Sequence, residues 1–176
     1  MLMKHMNDPK IKFSFSVEDQ RWHRRISHLN SFVIFICRPI QRLENISPKT
    51  EEINVLFSNA RTVKKLNYRF RNKNKSTNVL SFPTPSGLGG DIIISFEDVL
   101  RESQQQQKSF SSHMAHLLVH GTLHLFGYDH HHPSEAADME RLESLILSFS
   151  KISNPWQKTK IKVPSKVKNE FLCSLN

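Results

Sequence analysis

Residues 113–130 read HMAHLLVHGTLHLFGYDH. The stretch is strongly apolar between its histidines as far as Phe126, which predicts a helix over 113–126. Gly127 is well suited to the position just past a helix end, where the chain turns in a left-handed conformation. Downstream, Pro133 sits near the start of a last helix. Glu135, Asp138 and Glu140 in its first turns complement the helix dipole, and Leu142, Leu145, Ile146 and Phe149 supply an apolar face. Upstream, Glu97 to about Gln107 reads as a polar helix.

The N-terminal part has a different period. Ile11–Val17 (IKFSFSV) alternates apolar and polar residues, the pattern of a half-buried strand. Glu51–Phe57, Thr77–Phe82 and Asp91–Ser95 read as three further strands, with the Pro/Gly-rich stretch Pro83–Gly90 as the loop between the last two. A helix is expected within Glu18–Ile36, ended by Pro39. Ser58 is expected to cap a short helix running to about Asn67. Strands first and helices last indicate an α+β domain, with a small sheet of about four strands packed with helices. The 176 residues suit one such domain over residues 10–152, followed by a basic, poorly ordered tail over 153–176.

Composition narrows the function classes. The longest apolar run, Phe32–Cys37, is far short of the roughly 20 residues that span a bilayer, so no membrane partner is expected. The opening residues MLMKHMNDPK lack the apolar core of a secretory signal, which makes the cytoplasm the expected location. Cys37 and Cys173 are then expected reduced, Cys37 as a small buried hydrophobe. The net charge of +9 favours an anionic partner such as a nucleic acid backbone. Arg61, Lys64, Lys65, Arg69, Arg71, Lys73 and Lys75 concentrate that charge in one stretch. A solvated loop would carry the same residues.

Seven of the ten histidines fall between His113 and His132, and three of them form a pattern. His120 and His124, four residues apart, share one helical face and can reach the same ion. The turn at Gly127 brings His130 back towards them. Three protein ligands leave a fourth position for water, the mark of a catalytic rather than a structural zinc site. A bare His-x-x-x-His is expected about 0.6 times by chance in a chain this rich in histidine, the three-histidine pattern roughly 0.03 times. The spacing matches the metzincin protease motif, in which a glutamate follows the first histidine as general base. Here that residue is Gly121, so a peptidase would lack its usual base.

The run from His116 to His130 resembles the signature of the YbeY-type endoribonucleases. Leu66-Asn67-Tyr68-Arg69 with Thr77–Pro83 resembles that family's second block, and Gly90-Asp91-Ile92 its third. Met139 and Glu143 fit its closing helix. The resemblance covers about residues 10–150. It implies one zinc ion per chain on His120, His124 and His130, and cleavage of single-stranded RNA. It also implies a role in maturing the 3′ end of small-subunit ribosomal RNA and in ribosome quality control, with ribosomal RNA and the ribosome as partners. By position it implies that Arg69 is the functional arginine, suited to gripping two phosphate oxygens at once. Asn78 and Ser81 are candidates to line a substrate groove, and His116 to orient a ligand or substrate. Asp129 is read as capping a turn, His131 and His132 as exposed, and Trp22 and Trp156 as packing residues. The general base and the oligomeric state are left unassigned. A zinc metallopeptidase and a noncatalytic ribosome-associated factor are the competing functions.

Overall fold

A computed structural model describes residues 11–41, 51–85, 89–130, 132–152 and 155–156. The elements in chain order are β1 (Ile11–Val17), α1 (Arg21–Arg25), α2 (Leu29–Gln41), β2 (Glu51–Ser58), α3 (Ala60–Arg71), β3 (Val79–Pro83), β4 (Gly89–Ser95), α4 (Phe96–Gln105), α5 (Phe110–Leu125) and α6 (Pro133–Phe149). The four strands form one sheet in the order β1-β2-β4-β3. β1, β2 and β4 run parallel, and β3 runs antiparallel to β4 at the edge. The α+β class and the four strands are as expected. The order of elements is less segregated than expected, because parallel neighbours need crossovers and α1, α2 and α3 supply them.

The period of two along the strands divides the side chains between two layers. Ile53, Val55 and Phe57 of β2 and Ile92 and Ile94 of β4 join α2, α5 and α6 in the main core. Ile93 of β4 faces the other way, with Leu80 of β3 and Val63 of α3, in a smaller cluster. Trp22 is fully buried, as its reading as a packing residue required. Its ring meets Phe57, Phe96 and Phe110 at centroid distances of 5.0, 5.3 and 5.3 Å, and its indole N–H donates to Ser58 O at 2.9 Å. Cys37 is buried, and burial pushes its thiol pKa up. No helix among the described residues is long and apolar enough to cross a membrane.

Several element boundaries differ from expectation for local reasons. Pro39 lies inside α2, which runs on to Gln41. The proline forgoes the hydrogen bond to the Phe35 carbonyl, and only two helical residues follow it. The cap of α3 is Asn59 rather than Ser58. Asn59 Oδ1 accepts from Thr62 N at 3.0 Å, whereas Ser58 closes β2 and its buried hydroxyl bonds to Glu18. α3 continues past Asn67 to Arg71, and left-handed Asn72 stops it. Asn67 tolerates a buried helical site because its side chain donates to Lys75 O at 2.7 Å. α5 begins three residues before His113, at Phe110, capped by Ser109. Residues 153–176 lie outside the described residues except Pro155 and Trp156, as do His131 and Cys173.

α5 packs across β3 and β4 at Gly121. A Cβ built there would lie 3.0 Å from Ser81 Oγ, 3.2 Å from Ile92 Cγ2 and 3.3 Å from Val79 Cγ2. The position directly after His120 therefore points into the sheet, away from the histidine face. A glutamate there would crowd Ser81, Ile92 and Val79, so the metzincin base is poorly accommodated at this position. Gly121→Val is expected to overpack this contact and lower the urea-unfolding free energy by about 1–3 kcal/mol. An unchanged midpoint would mean that the helix and sheet can separate at no cost.

Candidate metal centre and nucleic-acid cleft

The helical repeat of α5 puts His113, His116, His120 and His124 along one stripe. Gly127, at φ +85°, then reverses the chain. Tyr128 N donates to Leu123 O at 3.1 Å, and Asp129 Oδ1 accepts from His130 N at 2.7 Å, so Asp129 does cap the turn. His130 is thereby returned to the first two histidines. The Nε2 atoms of His120 and His124 are 3.0 Å apart. Ring centroids are separated by 4.5 Å (His120–His124), 5.1 Å (His124–His130) and 5.7 Å (His120–His130). One nitrogen from each ring lies within 4.8 Å of the others. Tetrahedral ligands of one zinc ion are roughly 3.4 Å apart, so small ring rotations suffice to close on an ion.

His124 suits a cation in its protonation as well as its placement. The His124 pKa is held below its ordinary value by burial first, then by the charges that His120 and His130 would carry. Protonation of His124 is thereby disfavoured, which leaves its lone pair available. His120 and His124 are half-buried and His130 is exposed, so the group opens to solvent. The cleft in front of it is about 470 Å3, with β3 as its opposite wall.

That wall holds two of the candidate substrate residues. Asn78 and Ser81 both line the cleft, and both are tied to the protein. Asn78 Nδ2 donates to Glu102 Oε2 at 2.8 Å and its Oδ1 accepts from Val79 N at 2.7 Å. Ser81 Oγ donates to Gly121 O at 3.1 Å. Glu102 also accepts from His113 Nε2 at 2.9 Å. Burial opposes its ionisation, but the hydrogen bonds of His113 and Asn78 prevail and hold its pKa below the ordinary value.

Arg69 is not in the cleft. It is exposed, with its guanidinium 5.5 Å from the centre of the Phe70 ring. Arg71, two residues on, does reach the cleft. It lines the cleft with the three histidines, and its Nη2 donates to Ser81 O at 3.3 Å. Two residues along a helix is about 200° of rotation, so the two arginines project from opposite sides of α3. An expected helix end near Asn67 concealed that phase relation.

His116 also lies outside the cleft. Its Nε2 meets Glu143 Oε2 at 3.0 Å, and its ring packs edge-on to Trp156 at 5.5 Å. Glu143, on α6, is 1% exposed and accepts from His120 Nδ1 at 2.7 Å and from Trp156 Nε1 at 2.8 Å. Burial would raise the Glu143 pKa, but the hydrogen bonds from His116 and His120 hold it at about 2. The sequence reading placed Glu143 on the last helix and gave it no role. The available signal was a carboxylate at the same helical phase as buried Met139 and Ile146.

Residues 16–151 match the family described as Endoribonuclease YbeY. The chain belongs to this family. A YbeY endoribonuclease of Bartonella bacilliformis is 42% identical over 155 residues, covering 83% of this chain and 97% of the relative. One from Agrobacterium fabrum is 42% identical over 137 residues, 73% and 80% of the two chains. One from Gluconobacter oxydans is 49% identical over 105 residues, spanning 59% of this chain and 62% of the relative. The fold is similar to the solution structure of a Thermotoga maritima protein, with a TM-score of 0.51 at 19% identity, over 88% of this chain and 99% of that one.

Proton competition at this YbeY-family site has a defined sign. With its pKa below 6.5, His124 is neutral at and above that pH, and protons contend with a cation for it only below. Divalent-ion affinity, measured by chelator competition, should be level between about pH 8 and 7 and weaken on acidification towards about pH 5. Affinity that rises on acidification would exclude neutral imidazole ligands.

Proposed function

We propose that this chain is a zinc-dependent endoribonuclease of single-stranded RNA. Its cellular role is maturation of the small-subunit ribosomal RNA 3′ end and ribosome quality control, in the cytoplasm and on the ribosome or its small subunit. The observation that carries this reading is the shared cleft, with three imidazoles on α5 and its following turn facing Arg71.

His120, His124 and His130 hold one zinc ion, which an all-imidazole set suits. When bound, the ion supplies positive charge beside a phosphate and makes water more acidic. Arg71 grips the phosphodiester oxygens, and its charge persists at every physiological pH. Its hydrogen bond to the β3 backbone fixes where the guanidinium sits before substrate arrives. Asn78 and Ser81 shape the wall along which the strand lies, each held by its own bonds. The exposed Lys64, Lys65, Lys73 and Lys75 draw the RNA backbone towards the cleft. A peptidase is not favoured, since the residue after His120 faces the sheet.

The test is zinc content and cleavage of a precursor ribosomal RNA, measured side by side. His124→Ala should lose both. Arg71→Ala should keep its zinc and lose cleavage roughly 100-fold or more, as for other transition-state charge contacts. Arg69→Ala should cleave at close to the unaltered rate. Full, chelator-insensitive cleavage by His124→Ala would overturn the nuclease reading, and loss of zinc in Arg71→Ala would make Arg71 a folding residue.

A further inference from the structure

We propose that Glu143 is a positioning residue that locks His120 in the tautomer protonated on Nδ1, with Trp156 and His116 holding its carboxylate in place. This rests on the reading of His120 as a metal ligand. A carboxylate accepts and does not donate, so the short contact between Glu143 Oε1 and His120 Nδ1, at 2.7 Å, requires the proton on that ring nitrogen. The lone pair is then left on Nε2, the atom 3.0 Å from His124 Nε2 on the cleft side. The other tautomer would turn a lone pair towards a carboxylate buried beyond the reach of solvent.

Glu143 is itself clamped. Its second oxygen, Oε2, takes His116 Nε2 at 3.0 Å and the Trp156 indole N–H at 2.8 Å. Three donors on two oxygens leave the carboxylate one orientation. Trp156 belongs to the segment after α6, and that segment is pinned in turn where Lys108 Nζ donates to Pro155 O at 2.9 Å. The chain beyond α6 therefore reaches back to the metal centre. His124 achieves the same end more simply, through a hydrogen bond with the backbone of Tyr128.

His116, His120 and Glu143 also lie close enough together to hold an ion of their own. Their separations of 2.7 and 3.0 Å are those of direct hydrogen bonds, shorter than the roughly 3.4 Å between ligands of one tetrahedral ion. The cluster supports the neighbouring centre.

The experiment uses the full chain. Zinc affinity and stoichiometry are measured by chelator competition for the wild type, Glu143→Gln and Trp156→Phe, with thermal melts to confirm folding. The His120 tautomer is read from imidazole nitrogen shifts in the zinc-free wild type. Glu143→Gln should weaken zinc roughly 10- to 100-fold, and Trp156→Phe by a smaller factor, with one ion per wild-type chain. The wild-type spectrum should show the proton on Nδ1. A folded Glu143→Gln with unchanged affinity would overturn the proposal. So would a His120 proton on Nε2, or a second zinc lost in Glu143→Gln. If Glu143→Gln fails to fold, Trp156→Phe and the wild-type spectrum decide. No RNA is involved, so failure here is distinct from failure of the nuclease reading.

Discussion

Helix α5 lies close against β3 and β4 where position 121 has no side chain. A Cβ there would meet atoms at 3.0–3.3 Å, tighter than ordinary van der Waals contact, so a larger side chain requires its neighbours to give way. The close approach sets the width of the cleft, since one wall is β3 and the other is the histidine face of α5. It lets Ser81 Oγ reach the Gly121 carbonyl and tie strand to helix. The same glycine that stands where a protease base would be thus adjoins the cleft that Arg71 shares with the imidazoles.

Around this contact the polar groups are arranged in two layers. The cleft itself is open and carries groups that can turn towards a ligand. Behind it stand two carboxylates, Glu102 and Glu143, each ionised against the cost of burial because it accepts from histidine. One steadies the strand side through Asn78, the other the helix side through His120. Charged groups so placed are expensive unless every partner is present. Both are satisfied, and both hold residues that line the cleft.

Much of this was legible in the sequence, for identifiable reasons. The strands announced themselves by period, and β1 was found to the residue because its alternation runs from Ile11 to Val17 without a break. His120, His124 and His130 were legible because their spacing is local and set by one helix and one glycine. Arg71 was not, because choosing between two arginines needs the phase of α3, and Asn67 looked like a helix end until its side chain was seen to be bonded to Lys75. Glu143 and Trp156 were given no place at the site because their relation to His120 is tertiary. No spacing within the chain encodes that α6 and the segment beyond it fold back across α5.

The span of the three histidines has a bearing on assembly. They occupy only residues 120–130, within one helix and the turn that leaves it, whereas Arg71 lies far upstream, and the β1-β2-β4 pairing needs long crossovers. Contacts that are short in sequence form before those that must close long loops. A cation can thus act as a local cross-link on the nascent helix, stapling its last turn while the parallel strands are still finding their register. An ion held there would bear on the folding route as well as on the finished site.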